Sequence, residues 1–241
     1  MIRIITDSAA DLTAQDLAQP GVAVVPMCVT FADDTTVEDD GRMTRDEFFT
    51  HLANDPKLPR TSQPSPAAFM EAYADAELAG EEAVVITVAA KLSGTYQSAK
   101  LAAEDVDTKV YVIDSETATQ GEALIVREAL RLREEGLTAG EIAEALERFK
   151  KRIRIVAVVD SLKHLHKGGR IPAAVAIVGG ALGIKPVIAL YDSTVKLAGK
   201  GRGRPGAMVA MFKQLDELGG IDTDYPCVVL YSVETLLAGT V

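Results

Sequence analysis

An α/β fold on a largely parallel, doubly covered sheet is what the sequence predicts, and two observations carry it. Short Val/Ile-rich runs recur at residues 2–5, 22–25, 83–88, 110–113, 155–159, 186–190 and 227–231, and segments of helical pattern lie between them. The chain has 241 residues, 48% hydrophobic and 25% charged, which suits one large or two modest globular domains. Its 10 prolines and 19 glycines are too few and too scattered for a disordered or collagenous chain.

The elements follow in order. The opening strand runs into Asp7-Ser8. Thr44-Arg45-Asp46-Glu47 is a capping box, in which the hydroxyl takes an orphan backbone N–H and the glutamate reaches back to the cap. Ser65 before Pro66 is a cap with proline in the first turn, so a helix runs on through Phe69 and Tyr73. The strand at 83–88 passes through Ala89-Ala90-Lys91 to Ser93-Gly94, with a helix beginning near Gln97. Residues 120–135 form a further helix, and the capping box Thr138-Ala139-Gly140-Glu141 opens another over 139–151. The helical stretch ending at Lys150-Lys151-Arg152 is the best place to divide the chain, into domains 1–152 and 153–241. Residues 171–184 carry no charge, but 14 residues fall short of the roughly 20 that span a bilayer, so they read as buried core.

Charge and cysteine usage narrow the function classes. With 25 basic against 35 acidic residues the net charge is −10, which argues against a nucleic-acid binder or an anionic-membrane coat. Cys28 and Cys227 belong to no metal or disulfide array and read as small buried hydrophobes, so no metal site is expected. Acidic residues come too early at the N-terminus for an export signal, which implies a cytoplasmic protein.

Several catalytic motifs drop out. Residues 201–206 spell Gly-x-Gly-x-x-Gly, yet the acid about 20 residues on precedes a strand instead of ending one, so no dinucleotide cofactor is expected. Lys167-Gly168-Gly169 lacks P-loop spacing. Ser93 is not a nucleophile elbow, because no glycine stands two residues before it.

What remains suits an anion. Ser93 falls at a helix N-terminus, where free N–H groups attract a carboxylate or phosphate and Gly94 permits close approach; an ordinary capping serine is the commoner use of that position. Arg60-Thr61-Ser62-Gln63-Pro64 is a polar loop of hydroxyls and an amide. Three strand candidates end in Asp-Ser, at Asp7, Asp114 and Asp160, where a parallel sheet forms its ligand crevice, although such pairs also serve simply as caps. Asp160 and His164 would share a helix face, as a general-base pair or as a surface ion pair. Gly168-Gly169 permits a helix-ending turn that projects Arg170.

Together the segments Ile5-Thr6-Asp7-Ser8-Ala9-Ala10-Asp11-Leu12, Thr61-Ser62-Gln63-Pro64-Ser65-Pro66, Leu92-Ser93-Gly94-Thr95-Tyr96-Gln97-Ser98-Ala99 and Leu165-His166-Lys167-Gly168-Gly169-Arg170-Ile171 resemble the DegV family of fatty-acid-binding proteins. The resemblance implies two α/β domains with a long-chain fatty acid, such as palmitate, buried between them. It places the carboxylate on Thr61, Ser93 and the Gly94 amide, and implies that a separate fatty acid kinase makes the acyl phosphate for phospholipid synthesis. It makes Arg170 and Arg202 candidates for the head group or the partner surface, and implies no catalytic residue and no cofactor. The family continues past this length with a Gly-Thr-His-x-Gly-Pro-Gly segment, whereas this chain stops at Val241, so a more open head-group site is expected. The family often has Asp-Gly where this chain has Asp192-Ser193. The competing expectation is a lipid-directed hydrolase or acyltransferase using Ser93 with His164 or His166.

Overall fold

The computed structural model describes residues 1–176 and 183–231, without the side chains of Ala174 and Ala176. In chain order the elements are β1 (Ile2–Asp7), α1 (Ala14–Leu17), β2 (Val22–Val25), β3 (Cys28–Thr30), β4 (Thr36–Glu38), α2 (Arg45–Asn54), β5 (Arg60–Ser62) and α3 (Pro66–Leu78). Then come β6 (Glu82–Thr87), α4 (Thr95–Ala102), β7 (Val110–Asp114), α5 (Gln120–Glu134) and α6 (Ala139–Phe149). The remainder is β8 (Ile155–Val158), α7 (Lys163–Lys167), α8 (Ala173–Ala176), β9 (Ile184–Tyr191), β10 (Thr194–Arg202) and α9 (Gly203–Glu217).

A four-stranded parallel sheet in the order β2-β1-β6-β7 carries the main core. Because successive strand residues face opposite ways, β1 and β6 split their apolar side chains between two layers. Ile4, Val84 and Ile86 pack on one face with Ile125, Val126, Ile142 and Leu146 of α5 and α6. Ile5, Ala83 and Val85 pack on the other with Phe69 and Tyr73 of α3 and Ala99 of α4. Continuous Val/Ile runs are the sequence form of a sheet covered on both faces, each such side chain being worth about 1.5–3 kcal/mol when buried. The caps formed as predicted: Thr44, Ser65 and Thr138 each accept a backbone N–H, and Glu47 and Glu141 complete their boxes.

The parallel prediction fails elsewhere. Two further three-stranded sheets, β10-β9-β8 and β4-β3-β5, are antiparallel. The turn between β9 and β10 shows why: Asp192 and Ser193 both take positive φ, 51° and 60°, the two-residue hairpin geometry that can only return a strand antiparallel. The predicted strand at 227–231 is irregular and exposed, Val229 reaching 77% exposure, because it has no ladder partner among the described residues. Cys227 is exposed and Cys28 half-buried, so neither is the fully buried hydrophobe expected. Of the uncharged stretch, Ile171 is buried, α8 covers only four residues, and 177–182 lie outside the described residues. Among the described residues no helix is long and apolar enough to cross a membrane.

Candidate functional site at the strand ends

The order β2-β1-β6-β7 places a topological switch point beside β1: the chain leaves β1 to one side for β2 and reaches its other neighbour, β6, only later. Crevices at such points, outside the carboxyl ends of the strands, are where open α/β sheets bind ligands. The segment that leaves β6 there is Val88 to Gly94. Ala89 O accepts from the amides of both Leu92 (2.9 Å) and Ser93 (3.2 Å), which curls the chain tightly into α4.

Ser93 stands one residue before the position expected of a cap. Gly94 is the N-cap residue of α4 and gives no side-chain cap, while Ser93 Oγ lies 2.9 Å from Thr95 Oγ1. Both Ser93 and Gly94 are half-buried. Gly94 has an ordinary negative φ of −76°, so its need for glycine is spatial: a Cβ there would collide with the side-chain amide of Gln63. Gln63 Nε2 in turn donates to Ser98 Oγ at 3.2 Å. The fold therefore brings the Thr61-Ser62-Gln63 segment onto the start of α4. Thr61 lies in β5 instead of a loop, paired with Val29, and is exposed.

Arg170 also reaches this place. Gly169 (φ 77°) follows the end of α7, the Gly169 amide donates to His166 O and the Arg170 amide to Leu165 O, both at 2.9 Å, which is a Schellman turn. Its Nε then donates to Leu92 O at 3.2 Å, next to Ser93. Arg202, at the end of β10, is exposed and makes no hydrogen bond or ion pair with the Ser93 segment among the described residues. The Asp160–His164 pairing does not form, because Asp160 precedes α7 and its carboxylate pairs with Lys185. His164 and His166 are both exposed, and neither hydrogen-bonds Ser93 among the described residues.

Beneath this segment lies a carboxyl cluster, of which sequence reasoning marked Asp7 and Asp114 as strand ends but missed Glu122. Asp7 is fully buried and its carboxylate accepts from Val88 N at 2.8 Å and Ala9 N at 2.9 Å; burial pushes its pKa up to about 6 against those two bonds. Glu122, in the first turn of α5, has no exposed surface. It accepts from Thr6 Oγ1 at 3.0 Å, its Oε2 has no hydrogen-bond partner among the described residues, and burial, reinforced by the neighbouring charges of Asp7 and Asp114, raises its pKa well above the usual carboxylate range. Thr119, at the start of α5, holds a strained φ of 51° while its amide donates to Ala9 O. The available signal for Glu122 was a glutamate on the same helix as Ile125, Val126 and Ala129, which the helical period turns toward the core.

An open groove lined by Thr13, Asp16, Arg127 and Arg131 lies apart from these residues. At its centre Arg127 grips Asp16 through Nε at 2.9 Å and Nη2 at 2.8 Å, holding the Asp16 carboxyl down to about pH 2. That geometry fastens α1 to α5. Among the described residues no cluster of His, Cys, Asp and Glu is placed to hold a metal ion.

Comparison with known proteins agrees with this architecture. A DegV family protein from Thermus thermophilus, described for its fatty acid binding, is 34% identical with TM-score 0.82, over 90% of this chain and 77% of its own. A stearic-acid-binding protein from Eubacterium ventriosum is 35% identical with TM-score 0.81, over 90% of this chain and 78% of its own. The Fatty Acid Kinase (Fak) B3 protein of Streptococcus pneumoniae, solved loaded with linoleic acid, is 27% identical with TM-score 0.79, over 91% and 79%. The family model described as an uncharacterised protein of the DegV family matches residues 1–235, nearly the whole chain, and the chain belongs to the DegV family.

Proposed function

We propose that this protein binds a long-chain fatty acid such as palmitate in an apolar tunnel and presents its carboxylate to a partner fatty acid kinase, which forms the acyl phosphate. The head group rests on the hydroxyls of Thr61 and Ser93 and the Gly94 amide. Catalysis belongs to the partner, and the protein uses no cofactor. The observation that carries this reading is the contact of Gln63 with Gly94, which sets the Thr61 strand beside the Ser93 turn at the switch point of the sheet. The fatty acids bound by the Thermus, Eubacterium and Streptococcus proteins support the ligand class, and the kinase named for the Streptococcus protein supports the partner.

The physical demands agree. Each buried methylene is worth about 0.8 kcal/mol, so an acyl chain of about 16 carbons supplies affinity on the order of 10 kcal/mol before ordering costs. A carboxylate leaving water needs donors at the tunnel mouth. We place the ligand between domains 1–152 and 153–241; no ladder joins the parallel sheet to β8–β10 among the described residues. Arg170 and Arg202 are assigned to the head-group rim or the kinase surface. Arg170→Ala should slow acyl phosphate formation more than it weakens fatty acid binding, and equal losses would move Arg170 into the pocket. Organic extraction of the natively purified protein, followed by mass spectrometry, should release a stoichiometric saturated or monounsaturated long-chain acid. Recovery of polar metabolites alone would overturn the reading, and ester cleavage lost in Ser93→Ala would replace it with the hydrolase.

A further inference from the structure

Three consecutive amides lead from β6 toward Ser93, and each is held by an acceptor from a different part of the sheet edge. Val88 N donates to Asp7 Oδ2 at 2.8 Å, Ala89 N to Thr117 O at 2.8 Å, and Ala90 N to Asp114 Oδ1 at 3.1 Å. Asp7 ends β1 and Asp114 ends β7, the two strands that flank β6. Ala89 O, at the middle of the three, is the acceptor for the amides of Leu92 and Ser93. The position of Ser93 therefore depends, through one peptide, on acceptors outside its own segment.

We infer that Asp7 and Asp114 are positioning residues that clamp the β6–α4 segment from both sides and so set the Ser93–Gly94 contact surface, an inference that rests on the fatty-acid reading above. Neither residue touches the ligand in this scheme. Asp7 is wholly buried against the segment, and its other oxygen holds Ala9, whose carbonyl accepts from strained Thr119. Asp114 uses a single oxygen, Oδ1, for both Ala90 N and Glu116 N, while its backbone carbonyl accepts from Lys150 Nζ at 2.9 Å. The clamp thus joins the Ser93 segment to the starts of both following connections.

The two carboxylates differ in a way that makes the inference testable. Asp7 accepts with both oxygens, so Asp7→Asn must turn an NH2 group toward one of two N–H donors. Asp114 accepts with one oxygen, so Asp114→Asn keeps both bonds, whereas Asp114→Ala loses both. A purely electrostatic role predicts the opposite sign, because removing a negative charge near an anion site should tighten binding of a carboxylate.

The experiment measures palmitate affinity of the full chain by titration calorimetry and, without ligand, amide hydrogen exchange at residues 88–94. Asp7→Asn and Asp114→Ala should each weaken palmitate binding by about tenfold or more, the range for a lost hydrogen bond to a charged group, and should speed exchange at Val88 or Ala90 respectively. Ala89, held by a backbone carbonyl, should stay protected as an internal reference. Asp114→Asn should match the wild type in both measurements. Unchanged or tighter binding in Asp7→Asn and Asp114→Ala, with protection intact, would overturn the inference. If Asp7→Asn does not fold, the Asp114 pair decides alone. Failure of the wild type to bind palmitate would instead sink the fatty-acid reading, and the exchange pattern would still decide whether the carboxylates clamp the segment.

Discussion

The carboxyl edge of the parallel sheet and the antiparallel β8–β10 region handle charge in opposite ways. Around β1 and β7 the protein buries carboxyls: Asp7 and Glu122 have no exposed surface, and Asp114 lies close by. From residue 150 to 213 the sequence holds 13 Lys and Arg against two acidic residues, Asp160 and Asp192, in a chain whose net charge is −10. Most of those cations stay near water: Lys196 stands 3.7 Å from the Tyr191 ring centroid and Arg154 5.3 Å, and Lys151 reaches Glu116; Lys150, just before β8, is the buried exception, its Nζ turned to Asp114 O. A fully covered sheet can desolvate an acid and use it as an internal acceptor, whereas a three-stranded sheet with few buried side chains keeps its charges outside, where they serve solubility and encounter.

Core truncation should break the comparison hardest. Leu146→Ala, in a side chain with no exposed surface, should cost about 2–5 kcal/mol in chemical denaturation, while Phe212→Ala on exposed α9 should change stability by less than about 0.5 kcal/mol. Comparable losses would mean that the second region has a core as demanding as the first.

The buried acids come next. The Asp7 pKa rises from 3.8 to about 6 on folding, so this group's stabilisation is complete below pH 3.8 and is lost as pH rises through 6, about 3 kcal/mol by linkage. Glu122 moves in the same direction, whereas Asp16, lowered to about 2, withdraws its contribution only as pH falls through that value. Asp7, Asp114 and the Thr6 hydroxyl are the groups that act on Glu122. Melting curves should therefore favour the wild type over Glu122→Gln more at pH 5 than at pH 7.5. A pH-independent difference would show that Glu122 does not titrate in this window.

Smaller effects are expected at the head group. Ser93→Ala and Thr61→Ala should each weaken fatty acid affinity by about 1–3 kcal/mol while leaving the melting temperature unchanged. Loss of stability without loss of affinity would reassign both to structure. The smallest effect belongs to the β9–β10 turn, where Ser193 sits at φ 60° with its amide donating to Glu116 O at 2.9 Å. Ser193→Gly should stabilise the fold by about 0.5–1 kcal/mol, because glycine takes that backbone without a Cβ penalty. Destabilisation would mean that the half-turn's tertiary contacts outweigh its strain.

The parallel sheet was readable because its strands are unbroken apolar runs and its helices begin with complete boxes, as at Thr138 and Glu141. β3, β4 and β5 were not readable: Thr36, Glu38, Arg60 and Ser62 give three-residue strands no apolar signal, and only pairing with a neighbour defines them. The run at 227–231 misled for the converse reason, since apolar composition signals a strand only if a ladder receives it. At the site, Ser93 and Thr61 were marked by their hydroxyls, Gly94 by the close approach it permits, all three by the family resemblance, and Asp7 and Asp114 by their places after strands. Glu122 was harder to see, because the helical period that turns it toward the core with Ile125, Val126 and Ala129 was the one local sign, and its partner Thr6 is 116 residues away.

The missing side chain at Gly94 amounts to a gauge. The side-chain amide of Gln63, the residue after β5, rests where a methyl group would stand, so one flexible side chain spaces β5 from the start of α4. β5 belongs to a sheet of three three-residue strands, and its own residues Arg60, Thr61 and Ser62 are all exposed. Any enlargement at position 94 should be recorded first as a shift of the Gln63 side chain. A spectroscopic label at Gln63 would turn that shift into an optical readout of the proposed carboxylate site, while leaving Thr61, Ser93 and Gly94 unaltered.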